Sequence, residues 1–224
     1  MAALLNILQW NAQGMHGHGQ ELLHFLNNST DTYQVICIQE TWYEDNRIML
    51  IPNYVCLYRN RINQQRGGCA FYIHESLGYA SYAQDIDVEL QRVIITCGKE
   101  KIVIVNFYNP CKQLDDNIME LIYSYTLNYE YIILGDFNAH NTLWGSEKNN
   151  NNGKVVEFAL VKNNTVILND GSGTRLDSHS GKLSHLDLTV TTPSLANKCT
   201  WEIVEKNTFG SDHFLIYTMY NLVS

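Results

Sequence analysis

Residues 131–146 read YIILGDFNAHNTLWGS, and the change of character inside that stretch decides the fold. Tyr131, Ile132, Ile133 and Leu134 form a short apolar run closed by a glycine, the pattern of a strand buried on both faces. Asp136, Asn138, His140 and Asn141 then crowd into one short loop. An ordinary surface turn would account for them, because Asn and Asp are turn formers. So would an active site at a strand end. The rest of the chain separates the two readings.

Strand-like segments alternate with helical ones on either side. Residues 4–11 (LLNILQWN) and 35–39 (VICIQ) read as strands, and 19–28 (GQELLHFLNN) between them as a helix. Leu22, Leu23, Phe25 and Leu26 give that helix an apolar face. Further strands are predicted at 68–74, 89–97 and 102–107, then a helix over 115–127 with Asp115 or Asp116 available as its cap. A second helix is predicted near 153–161, and the last third returns to strands at 166–168, 184–191, 200–204 and 213–220. Asn149 to Asn152 are polar and low in complexity, which predicts a mobile loop. Many strands with few helices predict an α+β fold with two sheets inside and helices outside. With no repeat and no break in composition, a single domain over residues 1–224 is expected.

Bulk properties narrow the function. A chain that is 45% hydrophobic with three prolines is not a disordered composition. No apolar run is long enough to span a bilayer, and Met1-Ala2-Ala3-Leu4 lacks the basic start of a signal peptide, so no membrane partner is expected. The six cysteines are scattered without a CxxC pair or zinc-ligand spacing and read as reduced thiols of an intracellular protein. The net charge of −8 argues against a strong nucleic-acid footprint. Visible cations are few: Arg59, Arg61 and Arg66, then Lys99 and Lys101, whose blander reading is a solvated face. A DNA partner would demand local charge, a bound metal or another segment.

Several strands end in the same chemistry. Asn11, Glu40, Tyr108 with Asn109, Asp136 with Asn138, Asp187, and Asp212 with His213 all follow or open strand-like runs. Singly each has a bland reading as a turn former or solvated loop residue. Converging on one rim, they would be costly unless metal or substrate compensated the charge. Phosphodiester hydrolysis asks for such a set. Mg²⁺ prefers one or two carboxylates with waters and substrate oxygens, which Glu40 suits. Asp136 could activate water, and a His213 braced by Asp187 could face the developing charge. Asn11, Asn138 and Tyr108 supply neutral donors.

The motifs WNAQG, IQET, NFYNP, GDFNAH, LDLT and SDHF, in that order, resemble the exonuclease–endonuclease–phosphatase superfamily. More narrowly, GDFNAHNTLWGS, LNDGSGTRLD and SHLDLTVTTPSLA resemble the apurinic/apyrimidinic-type endonuclease domain of jockey-like, LINE-type non-LTR retrotransposons. The resemblance implies a DNase I-like four-layered α/β sandwich, two packed mixed sheets flanked by helices, with the site at one rim. It implies that Glu40 holds the divalent metal with Asn11 and Asp212 close by. It further implies that Asp136 orients or deprotonates the attacking water beside Asn138, that Asp187 pairs with His213, and that Tyr108 contacts phosphate. Thr174, Ser211, Asn109 and His140 are candidate substrate contacts, His140 and Trp144 having the alternative role of loop supports. Mg²⁺ is the implied cofactor, with Mn²⁺ as a substitute. Implied partners are double-stranded DNA and a reverse transcriptase domain of the same polyprotein, in the nucleus. After NFYNP the chain has Cys111, Lys112 and Gln113, with no counterpart to the residues that repair enzymes insert at abasic sites. This favours nicking of intact DNA. The short stretch RLDSHSGKLSHL between Thr174 and Asp187 implies modest sequence selectivity. Rival functions are a same-fold phosphoesterase acting on inositol phosphates or lipid head groups, and a non-catalytic interaction domain.

Overall fold

The computed structural model describes residues 4–44, 47–62, 65–82, 88–204 and 207–222, so Met1 to Ala3 lie outside the described residues. In chain order the elements are β1 (Leu4–Asn11), α1 (Met15–Asn28), β2 (Val35–Gln39), β3 (Tyr54–Arg59), β4 (Cys69–His74), β5 (Gly78–Tyr82), β6 (Glu89–Cys97) and β7 (Glu100–Tyr108). There follow α2 (Asp116–Ser124), β8 (Glu130–Asp136), α3 (Asn151–Lys162), β9 (Val166–Ile167), β10 (Arg175–Leu176), β11 (Leu183–Ser184), β12 (Asp187–Thr191), α4 (Pro193–Ala196), β13 (Cys199–Ile203) and β14 (Ile216–Asn221). One mixed sheet has the order β13-β14-β1-β2-β4-β3, and the other β5-β6-β7-β8-β12-β9. Each contains one parallel pair joined through a helix: β1-α1-β2 in the first and β7-α2-β8 in the second.

Hydrophobic burial stacks these elements in four layers. Leu5, Ile7, Val35 and Phe71 of the first sheet meet Val93, Ile104, Ile132 and Leu134 of the second between the sheets. Met15 and Leu22 of α1 pack on the outer face of the first sheet with Leu8, Ile36 and Tyr72. Met119 and Ile122 of α2, with Val156 and Leu160 of α3, cover the outer face of the second. The central strands β2 and β8 are therefore covered on both sides, which is why their sequences run apolar without alternation. This is the expected four-layered α/β sandwich.

Register sets up the site. Tyr108 on β7 lies opposite Asp136 on β8, and Asp136 lies opposite Asp187 on β12. In the other sheet Asn11 on β1 lies opposite Gln39 on β2, one residue before Glu40. All these residues stand at strand ends.

Four expectations are corrected. The asparagine run is not a mobile loop: Asn150 caps α3 by accepting from the Gly153 N–H, and Asn151 and Asn152 are already helical. Residues 184–191 are not one strand, because the chain leaves β11 at Ser184 and re-enters the second sheet only at Asp187. The last strand starts at Ile216, while His213 forms only an isolated bridge with Arg175. Helix α1 begins earlier than its glycine-broken sequence suggests, at Met15, whose side chain is buried. The edge strands β3 and β5 add to the expected set: β3 (YVCLYR) is apolar but only partly buried, and β5 (GYASY) is exposed throughout and lacks an apolar run.

Candidate active site

Strand β8 reaches its last residue through Gly135, whose φ is +146°. A Cβ there would stand 1.8 Å from the Phe107 carbonyl oxygen, so only glycine lets β8 run this close to β7. The chain then turns through Asn138 at φ +47°, a left-handed position that Asn tolerates. The turn folds donors onto Asp136. The Asn138 N–H donates to Asp136 Oδ1 at 3.0 Å, and Asn138 Nδ2 donates to Asp136 Oδ2 at 3.3 Å and to the Asn109 carbonyl at 2.7 Å.

Asn11 joins this group to the other sheet. Its Nδ2 donates to Asp136 Oδ2 at 2.9 Å and to Glu40 Oε1 at 3.0 Å. Glu40 Oε1 also accepts from the Tyr108 hydroxyl at 2.7 Å, and Glu40 Oε2 accepts from Trp42 Nε1 at 3.0 Å. Glu40 and Trp42 both adopt positive φ, +52° and +51°, without being glycine. Backbone bonds hold that conformation: Gly14 N–H to the Glu40 carbonyl at 2.8 Å and Trp42 N–H to the Gly67 carbonyl at 2.9 Å. Backbone conformations of this kind gather at functional sites.

His213 closes the cluster. Its Nδ1 lies 2.8 Å from Asp187 Oδ2, and its Nε2 lies 3.4 Å from Asp212 Oδ1 and 3.8 Å from Asp136 Oδ2. Burial acts to lower the imidazole pKa, but the charges of Asp187, Asp136 and Asp212 and the Asp187 hydrogen bond outweigh it and raise it to about 9. Burial and the neighbouring Asp187 push Asp136 the other way for an acid, up to about 7, against the pull of His213 and Asn11. The site thus pairs a stabilised cation with a carboxyl that ionises near neutrality.

Asn11, Glu40, Tyr108, Asp136, Asn138, Asp187, Asp212 and His213 are therefore brought together. Three candidate substrate contacts are instead occupied inside the fold. The Thr174 hydroxyl is fully buried and accepts from the N–H groups of Leu186 and Asp187, both at 3.1 Å. Ser211 Oγ donates to the Asn11 carbonyl at 2.7 Å and accepts from the His213 N–H at 3.1 Å. Asn109 Nδ2 donates to the carbonyls of Lys112 and Phe137. These three hold the backbone beneath the catalytic candidates. His140 is half-buried on a separate groove with His185, and burial, His185 and Arg175 lower its pKa. Trp144 is buried, its indole N–H donating to the Ala139 carbonyl, and pins the loop.

Among the described residues, one group offers metal-ligand atoms within 4.8 Å of one another: Asp136, Asp187 and His213. That differs from the expected set of Glu40, Asp212 and Asn11. A protonated His213 hydrogen-bonded to Asp187 has no lone pair to give, so the oxygen donors carry any cation. Asp187 Oδ1 and Asp212 Oδ1 are buried acceptors that lack a hydrogen-bond donor. Carboxylate oxygens with that spare capacity fit a hard divalent cation.

Two residues at the site escape a reading by sequence. Arg175 binds Asp212 Oδ2 through Nε at 2.8 Å and Nη2 at 2.6 Å, and its position directly after Thr174 was its only signal. Trp42 braces Glu40, and Arg66 lies over its ring at 4.8 Å. The room for that indole comes from Gly14, where a Cβ would meet Trp42 at 2.6 Å.

The chain is similar to several known proteins. Two polypeptides of Drosophila melanogaster are similar over about three quarters of the chain: the probable RNA-directed DNA polymerase from transposon BS, 24% identical over 178 residues, and that from mobile element jockey, 23% over 175. The chain spans about a fifth of their length, 19% of each. Among solved structures, the endonuclease domain of TRAS1, a telomere-specific non-LTR retrotransposon, superposes with a TM-score of 0.82 at 21% identity, covering 98% of this chain and 99% of that one. The AP endonuclease LMAP of Leishmania major superposes with a TM-score of 0.81 at 13% identity, covering 99% and 89%. At such identities the likeness is one of fold. The sequence model of the endonuclease–reverse transcriptase family matches residues 102–217, a span that holds Tyr108, Asp136, Asn138, Asp187, Asp212 and His213. With more than half of its length matched, the chain belongs to the endonuclease–reverse transcriptase family.

Proposed function

We propose that this chain is the divalent-metal-dependent endonuclease segment of a non-LTR retrotransposon polyprotein, nicking one strand of duplex DNA to leave a 3′-hydroxyl and a 5′-phosphate. The observation that carries the reading is His213, buried between Asp187 and Asp136, with Asp136 joined in turn through Asn11 to Glu40. Glu40, with Asp212 as a second carboxylate, would hold Mg²⁺, or Mn²⁺ in its place. When bound, that cation polarises the phosphoryl oxygen and stabilises the leaving oxygen. Asp136 accepts the proton of the attacking water or fixes its direction, Asn138 and Asn11 keeping the carboxylate oriented. The His213 imidazolium, held by Asp187, opposes the negative charge that builds on the phosphorus oxygens. Tyr108 keeps the Glu40 carboxylate in place and offers its edge to the phosphate.

The 3′-hydroxyl would prime reverse transcription by a polymerase segment of the same polyprotein, acting in the nucleus on chromosomal DNA. The similarity to transposon RNA-directed DNA polymerases supports that partner. Supercoiled plasmid with Mg²⁺ tests the reading. Conversion to open circles, abolished by EDTA and reduced at least about 100-fold in Asp136→Ala and His213→Ala, is the expected result. Intact plasmid, with phosphate released from small phosphoesters, would move the assignment to a phosphatase of the same fold.

A further inference from the structure

The net charge of −8 leaves open where an anionic strand would be gripped. Two of the three arginines that stand out in the sequence, Arg59 and Arg61, line one cavity together with Lys112 and with Tyr108, whose hydroxyl braces Glu40. The cavity holds about 140 Å³ and also borders Asn109 and Glu89. It is separate from the carboxylate cluster, and the Tyr108 ring is the residue common to both.

Arg61 is fixed before any ligand arrives. Its Nε donates to Glu89 Oε1 at 2.6 Å, Glu89 Oε2 accepts from the Gly68 N–H, and the guanidinium lies 5.7 Å from the Tyr108 ring centre. Gly67 makes the space, since a Cβ there would meet the guanidinium at 2.4 Å. Yet Arg61 Nη2 is buried without a hydrogen-bond acceptor. A buried charged donor left without an acceptor is costly. Glu89 answers one of the cationic groups around this cavity, and Lys112 is exposed at its rim. A guanidinium held rigidly on the cavity wall beside a lysine suits a phosphate oxygen.

We infer that this cavity is a phosphate subsite, taking a backbone phosphodiester of the cut strand next to the one being hydrolysed, with Arg61 as fixed donor and Lys112 as a mobile one. The inference rests on the duplex DNA substrate proposed above. It answers the charge problem locally: the chain is acidic overall but cationic on the Tyr108 flank of its site.

The test is equilibrium binding of the 224-residue protein to a fluorescent 20-base-pair duplex in EDTA, over a series of NaCl concentrations. Each lost phosphate contact lowers the slope of log K against log salt by about one. Arg61→Gln and Lys112→Gln should each flatten the slope by about one and weaken low-salt binding by about tenfold. Lys101→Gln should change neither, because Lys101 lies seven residues from Tyr108 on β7, about 23 Å away at roughly 3.3 Å per residue. Lys101→Gln should also keep its Mg²⁺-dependent turnover of bis(p-nitrophenyl) phosphate. If Arg61→Gln melts early through loss of the Glu89 pair, Lys112→Gln decides. Unchanged slopes in a wild type that nicks DNA overturn the subsite alone. A wild type that neither nicks nor binds duplex overturns the proposed function instead.

Discussion

His213 is placed so that its charge depends on its neighbours. Asp187 contacts one ring nitrogen at 2.8 Å, and Asp212 and Asp136 face the other at 3.4 and 3.8 Å. A histidine whose folded pKa is raised to about 9 contributes stability fully present below its unfolded value of about 6.5. That contribution is lost as pH rises through about 9. Asp187→Asn removes the strongest carboxylate acting on the ring and leaves burial to dominate, so the His213 pKa falls. In the metal-free protein, the ring-proton NMR titration of His213 should move from about 9 in the wild type toward or below 7 in the variant. The alkaline limb of plasmid nicking should move down with it. A midpoint unmoved by the substitution would show that Asp187 does not set the charge of His213. This pairing was legible in the sequence because LDLT and SDHF each carry one partner. Arg175 was not, because nothing local in GTRLD says that its guanidinium crosses to Asp212.

Elements carry the next level of control, and the asparagine run shows how composition misleads. Residues 149–152 were expected to be mobile on polarity alone. Three of the four amides in the run, those of Asn149, Asn150 and Asn152, have a particular carbonyl or N–H to meet. Asn149 Oδ1 accepts from Thr142 N–H, and Asn150 Oδ1 accepts from both His140 and Gly153. Asn152 Oδ1 accepts from Leu114 N–H, while its Nδ2 donates to the carbonyls of Lys112 and Asn138. The first turn of α3 therefore ties the loop after β8 to the loop after β7, the two loops that present Asn138 and Asn109. Long apolar strands could be read from sequence because burial on both faces leaves a run of large side chains. Tertiary hydrogen bonds leave no such trace. Asn152→Ala strands the buried Leu114 N–H, which should lower stability by about 1–3 kcal/mol in urea unfolding. Loosening the Asn138 carbonyl should lower the nicking rate by about tenfold as well. Asn151→Ala, exposed on the same turn, should leave stability within about 0.5 kcal/mol and activity unchanged. Equal effects in both variants would mean that the turn matters only as helix.

At the scale of the whole molecule, the candidate site is divided between two sheets. Asn11 and Glu40 come from β1 and the end of β2, whereas Tyr108, Asp136 and Asp187 come from β7, β8 and β12. Apolar contact between sheets is non-directional and permits small rotations, so something must fix their relative position. Buried polar bonds cross the interface. Gln39 Nε2 on β2 donates to Asn106 Oδ1 on β7 at 2.6 Å, and Asn106 Nδ2 donates to the carbonyls of Ile38 and Ala70 at 3.0 and 3.1 Å. Thr189 on β12 donates to Gln9 on β1 and accepts from the indole of Trp201 on β13. Asn106 is wholly buried and follows Val105 on the strand that ends in Tyr108, one residue beyond what an apolar pattern explains. Asn106→Leu leaves the Gln39 amide without its acceptor and should cost about 2–4 kcal/mol of stability. Gln39→Leu in addition removes the stranded group, and the double variant should regain part of that loss, because replacing both partners with apolar groups is close to neutral. Its nicking rate should nevertheless stay well below wild type, since the restored stability no longer dictates how Asn11 and Glu40 face Asp136. Chemical denaturation and plasmid nicking on the four proteins of this cycle separate the two effects. Activity that recovers in step with stability would show that packing alone aligns the sheets.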